Sequence, residues 1–203
     1  MKRLFIITFS IIFVLCIYSE HNLLADQSYR DNIVIPPNDI YKNLLKYIER
    51  EDYQKIKKAL NLLNGIINVL DAKYSINLMT KLNNSIKRND NEMILKLIYR
   101  LIYFDALDLM DNSIEAVEVS PDKAKTKLKM SYLNYILLSP IIEKKSFSSD
   151  IKIKRMFRDA NRILDAFSPY TKSNSSGIDL HAFRNITRKI AQECDIVVSD
   201  IIK

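Results

Sequence analysis

Three arginines, Arg155, Arg158 and Arg162, recur at steps of three and four. On a helix they stand one above another, with Lys154 beside them. Ile153, Phe157, Ala160, Leu164 and Phe167 share the opposite face and form an apolar seam. A guanidinium grips a carboxylate or a phosphate through two parallel N–H bonds, which an ammonium cannot do. The row therefore points to contact with something anionic. Between Pro121 and Arg162 the chain carries eleven Lys and Arg against four Asp and Glu, a local charge of +7. The whole chain is also +7, so charge is concentrated in this stretch. A molecule polarised in this way suits an acidic protein partner or an anionic surface, peripheral contact with a membrane included. The competing reading is a solvated face on which Asp159 pairs with Arg155 and Arg162.

Aromatic side chains offer a second kind of chemistry. Tyr99 and Tyr103 lie four apart, and Tyr132 and Tyr135 three apart. They sit on two predicted helices joined by a short corner. If those helices pack, the four rings line one pocket, and tyrosine is a known haem ligand. The commoner use of such a stripe is core packing with hydroxyls at the rim.

Catalytic and metal chemistry find little to work with. Beyond residue 25 the chain has one cysteine, Cys194, and one histidine, His181. Thirteen residues of one helix hold them roughly 20 Å apart, so they form no nucleophile–base pair. Cys194 falls in an apolar seam, where a thiol is an inert small hydrophobe. One histidine and no thiolate pair give no transition-metal site of familiar spacing. No catalytic residue, metal ligand or cofactor is expected.

Carboxylates also cluster. Asp105, Asp108, Asp111, Glu115 and Glu118 follow one another with no Lys or Arg between them. At the C-terminal end of a helix they oppose the backbone dipole, at a few tenths of a kcal/mol each, about 0.3 or more. The next helix opens with Lys123, Lys125, Lys127 and Lys129, also at the wrong end for the dipole. An antiparallel hairpin would set the two groups face to face, which predicts a structural charge pairing.

The elements that position these residues are helices. The chain has two glycines, five prolines and no tryptophan, and is rich in Leu, Ile, Lys and Asn. That composition favours long helices over a β-rich fold. Asn38 or Asp39 caps a helix reaching about Arg50, after a lead-in ending in Pro36-Pro37. A seam from Ile56 to Tyr74 marks another, with a corner at Asp71 to Ser75 or a continuation to Lys87. A third carries Ile94 to Leu109. Ser120-Pro121-Asp122 opens a fourth, expected to end near Leu138, where Ser139-Pro140 intervenes. The fifth runs from Asp150 to Phe167. After the loop at 168–177, Ser176 with Asp179 resembles a capping box for the last helix. The expectation is an all-α antiparallel bundle of six or seven helices.

One similarity runs along the chain. Shifted by thirty-eight residues, Ile48, Arg50, Asp52 and Ile56 fall on Ile86, Arg88, Asp90 and Ile94. Two copies of one helical corner explain this more simply than a repeat array, which needs about three copies. A two-copy repeat adaptor is the alternative.

The first residues read as an address. Lys2 and Arg3 precede an apolar run from Leu4 to Tyr18, and Leu23-Leu24-Ala25 ends in a small residue. That predicts a signal peptide over 1–25, a lead-in over 26–37 and one helical domain over 38–203. An uncleaved anchor is the alternative, although fifteen apolar residues fall short of the about 20 that span a bilayer. Export, periplasmic or secreted, with a single remaining cysteine leaves no internal disulfide, so the core must hold the fold. It also argues against nucleic acid as a partner. The function expected is an exported, non-catalytic binding or scaffolding module contacting an anionic partner through its basic face. The alternative is an extracytoplasmic carrier of a metal, haem or small apolar ligand. The three-four seam of the last helix is also suited to self-association.

Overall fold

The computed structural model describes residues 36–166 and 179–202. The leader, nearly all of the lead-in and the loop at 168–177 lie outside the described residues. Within them the chain forms eight helices and no strand: α1 Pro37–Glu49, α2 Tyr53–Leu62, α3 Asn64–Tyr74, α4 Leu78–Lys87, α5 Asn91–Ala116, α6 Pro121–Lys145, α7 Phe147–Asp165 and α8 Leu180–Ile202. The all-α expectation holds.

The count exceeds six or seven because residues 52–88 divide into three helices. At buried Leu63 the amide bonds back to Leu60 and the axis turns without a loop. Beyond Tyr74, Ser75 and Asn77 both take left-handed backbone, with φ of 53° and 55°. This is the anticipated corner: Ser75 is the C-cap of α3 and Asn77 the N-cap of α4, and the Asn77 side chain makes no capping bond. The Asp71 carboxylate reaches across the turn and accepts from the amides of Leu78, at 2.6 Å, and Met79, at 3.2 Å. A side chain from the preceding helix thus satisfies amides that a helix start leaves open.

The two stretches thirty-eight residues apart fold alike. Glu51 and Asn89 are left-handed, with φ of 55° and 52°. Asp52 and Asp90 follow as N-caps, accepting from the amides of Lys55 and Met93 at 3.1 and 3.0 Å. Equivalent backbone bonds close both turns: Asp52 to Tyr47, and Asp90 to Ser85. Each corner also reaches the other. The Tyr53 hydroxyl donates to the Asn89 carbonyl, and the Asn91 amide donates to the Ile48 carbonyl and to Glu51.

Proline does not end α6. Ser120 caps its start and Pro121 fills the first helical position, as anticipated, but the helix passes through Pro140 to Lys145. An interior proline costs about 3 kcal/mol in lost bonding and clash. Here Pro140 is exposed, so water can meet the Ile136 carbonyl, while Leu138, Ser139 and Ile142 stay buried. α7 then starts at Phe147, capped by Ser146, and not at Asp150. In α8 the cap is Asp179, whose carboxylate accepts from Ala182 at 2.8 Å.

α5 is the centre of the packing, touching α3, α4, α6 and α8. α6 and α7 complete a circuit from α5 to α8, and the earlier helices cover the remaining side of α5. Leu97, Leu101, Ile102 and Leu109 of α5 are buried, as are Ile153, Phe157 and Ala160 of α7 and Phe183, Ile190 and Val197 of α8. Buried hydroxyls let α5 and α6 approach closely. Ser113 donates to the Ala124 carbonyl and Ser131 to that of Ala106, each at 2.8 Å.

Candidate functional site

The apolar stripe of α7 turns inward on α6 and α8, which leaves its polar positions along two grooves. The first lies between α6 and α7 and has a volume of about 560 Å³. Leu128, Tyr132, Ile151 and Phe157 supply its apolar surface, and Lys125, Lys129, Lys154, Arg155 and Arg158 its cations. No acidic side chain lines it. Ligand clefts commonly span about 300–1,000 Å³, so the space suits a small molecule or a few side chains of a partner.

Part of this charge is already matched. Lys125 pairs with Asp165, and Lys154 with Asp150 at 2.7 Å. Lys129, Arg155 and Arg158 have no ion pair among the described residues. Arg155 also lines the second groove, between α7 and α8, with Ile151, Lys152 and Lys189. Arg162 stands apart: it lines neither groove and sits 3.6 Å from Asp159. The three-arginine row therefore divides, two members in the groove and one paired on the surface.

A polar lock beneath the groove fixes α6 against α7. Asp150, 2% exposed, accepts from the Tyr135 hydroxyl at 2.5 Å, Ser139 at 2.7 Å and Lys154 at 2.7 Å. Burial would raise the Asp150 carboxyl, but these three donors outweigh it and hold it below the usual aspartate value. Burial, and then the bond to Asp150, push the Tyr135 hydroxyl far above its ordinary value, which keeps it a donor. Lys154 thus lines the groove and closes the lock below. Its role in the lock was not visible from spacing, because Asp150 read as a helix start.

The four tyrosines do not meet in one pocket. Tyr132 lines the α6–α7 groove, and its ring centre lies 6.4 Å from Tyr135 and 5.2 Å from Phe157. Tyr135 is buried in the lock. The Tyr103 hydroxyl donates instead to Asp195 of α8, at 3.2 Å. Neither Tyr99 nor Tyr103 lines either groove of α7.

The acidic row is engaged mainly with other elements than expected. Lys73 of α3 bonds Asp108 and Asp111, each at 3.0 Å. Burial pulls Lys73 down, yet its hydrogen bonds to Asp111 and Asp108 hold it above its usual range. Asp105 accepts from Tyr41 of α1 at 3.0 Å and from Asn134 of α6 at 2.7 Å. Glu118 pairs with Arg184 of α8 at 2.8 Å. Charge pairing is present, but α3 and α8 approach α5 closely enough to supply these cations. Sequence separation hid both partners.

Cys194 is buried, and burial pushes its thiol up to about 12, so it offers no thiolate at neutral pH. His181 is exposed and contacts Asn185. Among the described residues no group of His, Cys, Asp and Glu is arranged to hold a metal ion, and no helix is long and apolar enough to cross a membrane. No protein-family model, curated protein or solved structure matches the chain.

Proposed function

We propose that this protein is an exported, non-catalytic binding module whose α6–α7 groove takes an anionic partner with an apolar edge. One observation carries the reading: five cations surround an apolar floor with no acidic side chain among the lining residues, and three of them lack an ion pair among the described residues. Apolar contact would supply affinity, and the arginine forks would select carboxylate or phosphate groups. Arg155 and Arg158 are the principal contacts, with Lys129 alongside. Lys154 and Lys125 contribute charge from positions that Asp150 and Asp165 hold in place.

Chemical cross-linking in the protein's own exported compartment tests this. Arg155→Glu with Arg158→Glu is expected to remove the partner adduct while far-UV circular dichroism stays unchanged. An adduct that persists in the folded variant would overturn the reading.

The apolar floor favours a second reading, a carrier for a small apolar ligand in the same groove. Native mass spectrometry of residues 26–203 distinguishes the two. A carrier retains an added small mass, which a Tyr132→Ala exchange should release.

A further inference from the structure

A second basic cleft, of about 300 Å³, lies between α4 and α5 and shares no residue with the α6–α7 groove. Lys81 comes from α4 and Arg88 from its C-cap, and Lys96 and Arg100 from α5, over buried Leu97. Lys81 and Arg88 are seven residues apart, two helical turns, so both lie on the face of α4 that meets α5. Lys96 and Arg100 are four apart and likewise share a face. The corner at Asp90 folds one helix back on the other, which brings the two like-charged pairs together.

Nothing within the described chain neutralises them. No acidic residue lines the cleft, and none of the four cations forms an ion pair among the described residues. This contrasts with Lys73, which two aspartates hold. Arg100 adds an independent sign of a missing partner. Its Nε is buried with no hydrogen-bond acceptor, although donors buried without one are unfavourable. The guanidinium is held in place by stacking, its carbon 5.7 Å from the centre of the Phe104 ring, and that ring packs in turn on Tyr74 at 4.8 Å. Arg100 is thus positioned by a ring contact that uses none of its hydrogen-bond donors.

We propose that the α4–α5 cleft is a binding site for a phosphate-class oxyanion, taken as free phosphate or as the phosphate head of a larger ligand. A lone carboxylate brings one charge and two oxygens to four cations. A phosphate monoester brings nearly two charges and three strong acceptors, enough to engage both arginine forks and both ammonium groups. The site is distinct from the α6–α7 groove and does not depend on the function proposed for it.

Isothermal calorimetry on residues 26–203 tests the site, with inorganic phosphate as one probe. The other probe is vesicles of phosphatidic acid in phosphatidylcholine, compared with pure phosphatidylcholine. Saturable phosphate binding that weakens at least tenfold in Arg100→Gln and in Lys81→Gln/Lys96→Gln supports a free-phosphate site. Binding confined to phosphatidic acid vesicles, and lost in the same variants, supports the head-group form. The lysine pair keeps the test decisive should Arg100→Gln fail to fold, because neither lysine belongs to the buried core. A Lys57→Gln/Lys58→Gln variant, altered at two exposed lysines that line none of the grooves, should bind as the unaltered chain does. Absence of saturable binding to either probe, or equal weakening in the Lys57/Lys58 variant, overturns the proposal.

Discussion

Asp52 and Asp150 are the same side chain used for opposite ends. Asp52 stands at a corner, partly exposed, and its bonds go to Lys55, three residues on. Asp90 repeats that arrangement thirty-eight residues later. Asp150 is buried and gathers Tyr135 and Ser139 of α6 with Lys154 of its own helix. The corner aspartates end one helix and start another. The buried one joins two helices, and the groove above it depends on that joint. A cap competes with water for its hydrogen bonds, whereas a buried carboxylate has only the donors built around it. The two regions should therefore respond to substitution on different scales.

The largest effect is expected at the lock. Asp150→Asn turns an acceptor facing three donors into a group that must place its own N–H₂ among them, with a loss of about 2–4 kcal/mol by urea denaturation. A loss no greater than that of Asp52→Ala would erase the contrast. Tyr135→Phe removes one donor to the charged carboxylate and should cost about 1.5–3 kcal/mol.

Acid should act through the same group. The folded Asp150 value lies below the unfolded value of about 3.9, so its contribution is complete above that pH. It is lost as pH falls through the folded value. Unfolding free energies measured between pH 6 and pH 3 should decline below about pH 4, and Asp150→Asn should flatten that decline.

Smaller effects are expected at the corners. Asp52→Ala and Asp90→Ala should each lower Tm by about 2–4 °C in a calorimetric scan. Because Tyr53 and Asn91 tie the corners to each other, the double variant should depart from the sum of the single ones. Strict additivity would show that the two corners act independently. The least change in stability is expected in the groove, where Arg155→Gln or Arg158→Gln should leave Tm within about 2 °C. Their effect should appear in binding.

The corners show what could be read directly. Ser120 was recognisable as a cap, and Asp52 and Asp90 as matching points of one repeated helical corner, because a cap bonds amides two or three residues away. The Asp71 cap has no local signature because its amides lie seven and eight residues on, across a turn that Ser75 and Asn77 make in the left-handed region. Pro140 misled for a related reason. A proline ends a helix when its neighbours have no stake in continuing, and the burial of Leu138 and Ile142 gives α6 that stake. Of the candidate site, Lys154, Arg155, Arg158 and Tyr132 carried a signal in type and spacing. Local spacing sets Lys125 and Lys129 against the acidic row instead, since no local pattern places α7 beside them. The α4–α5 cleft had a trace in sequence, Arg88 as the counterpart of Arg50, but its other cations carried no mark.

By itself the sequence determined helix type, some of the local caps and the faces that must be buried, because these depend on neighbours within two turns. The tertiary structure alone decided which charges meet. It gave Lys73 to Asp108 and Asp111, Arg184 to Glu118 and Lys125 to Asp165, and left Lys129, Arg155 and Arg158 without an ion pair among the described residues. A charge reaches whatever stands within a few ångströms of it. In a bundle that neighbour is set by which helices pack, at separations of thirty-five to sixty-six residues here.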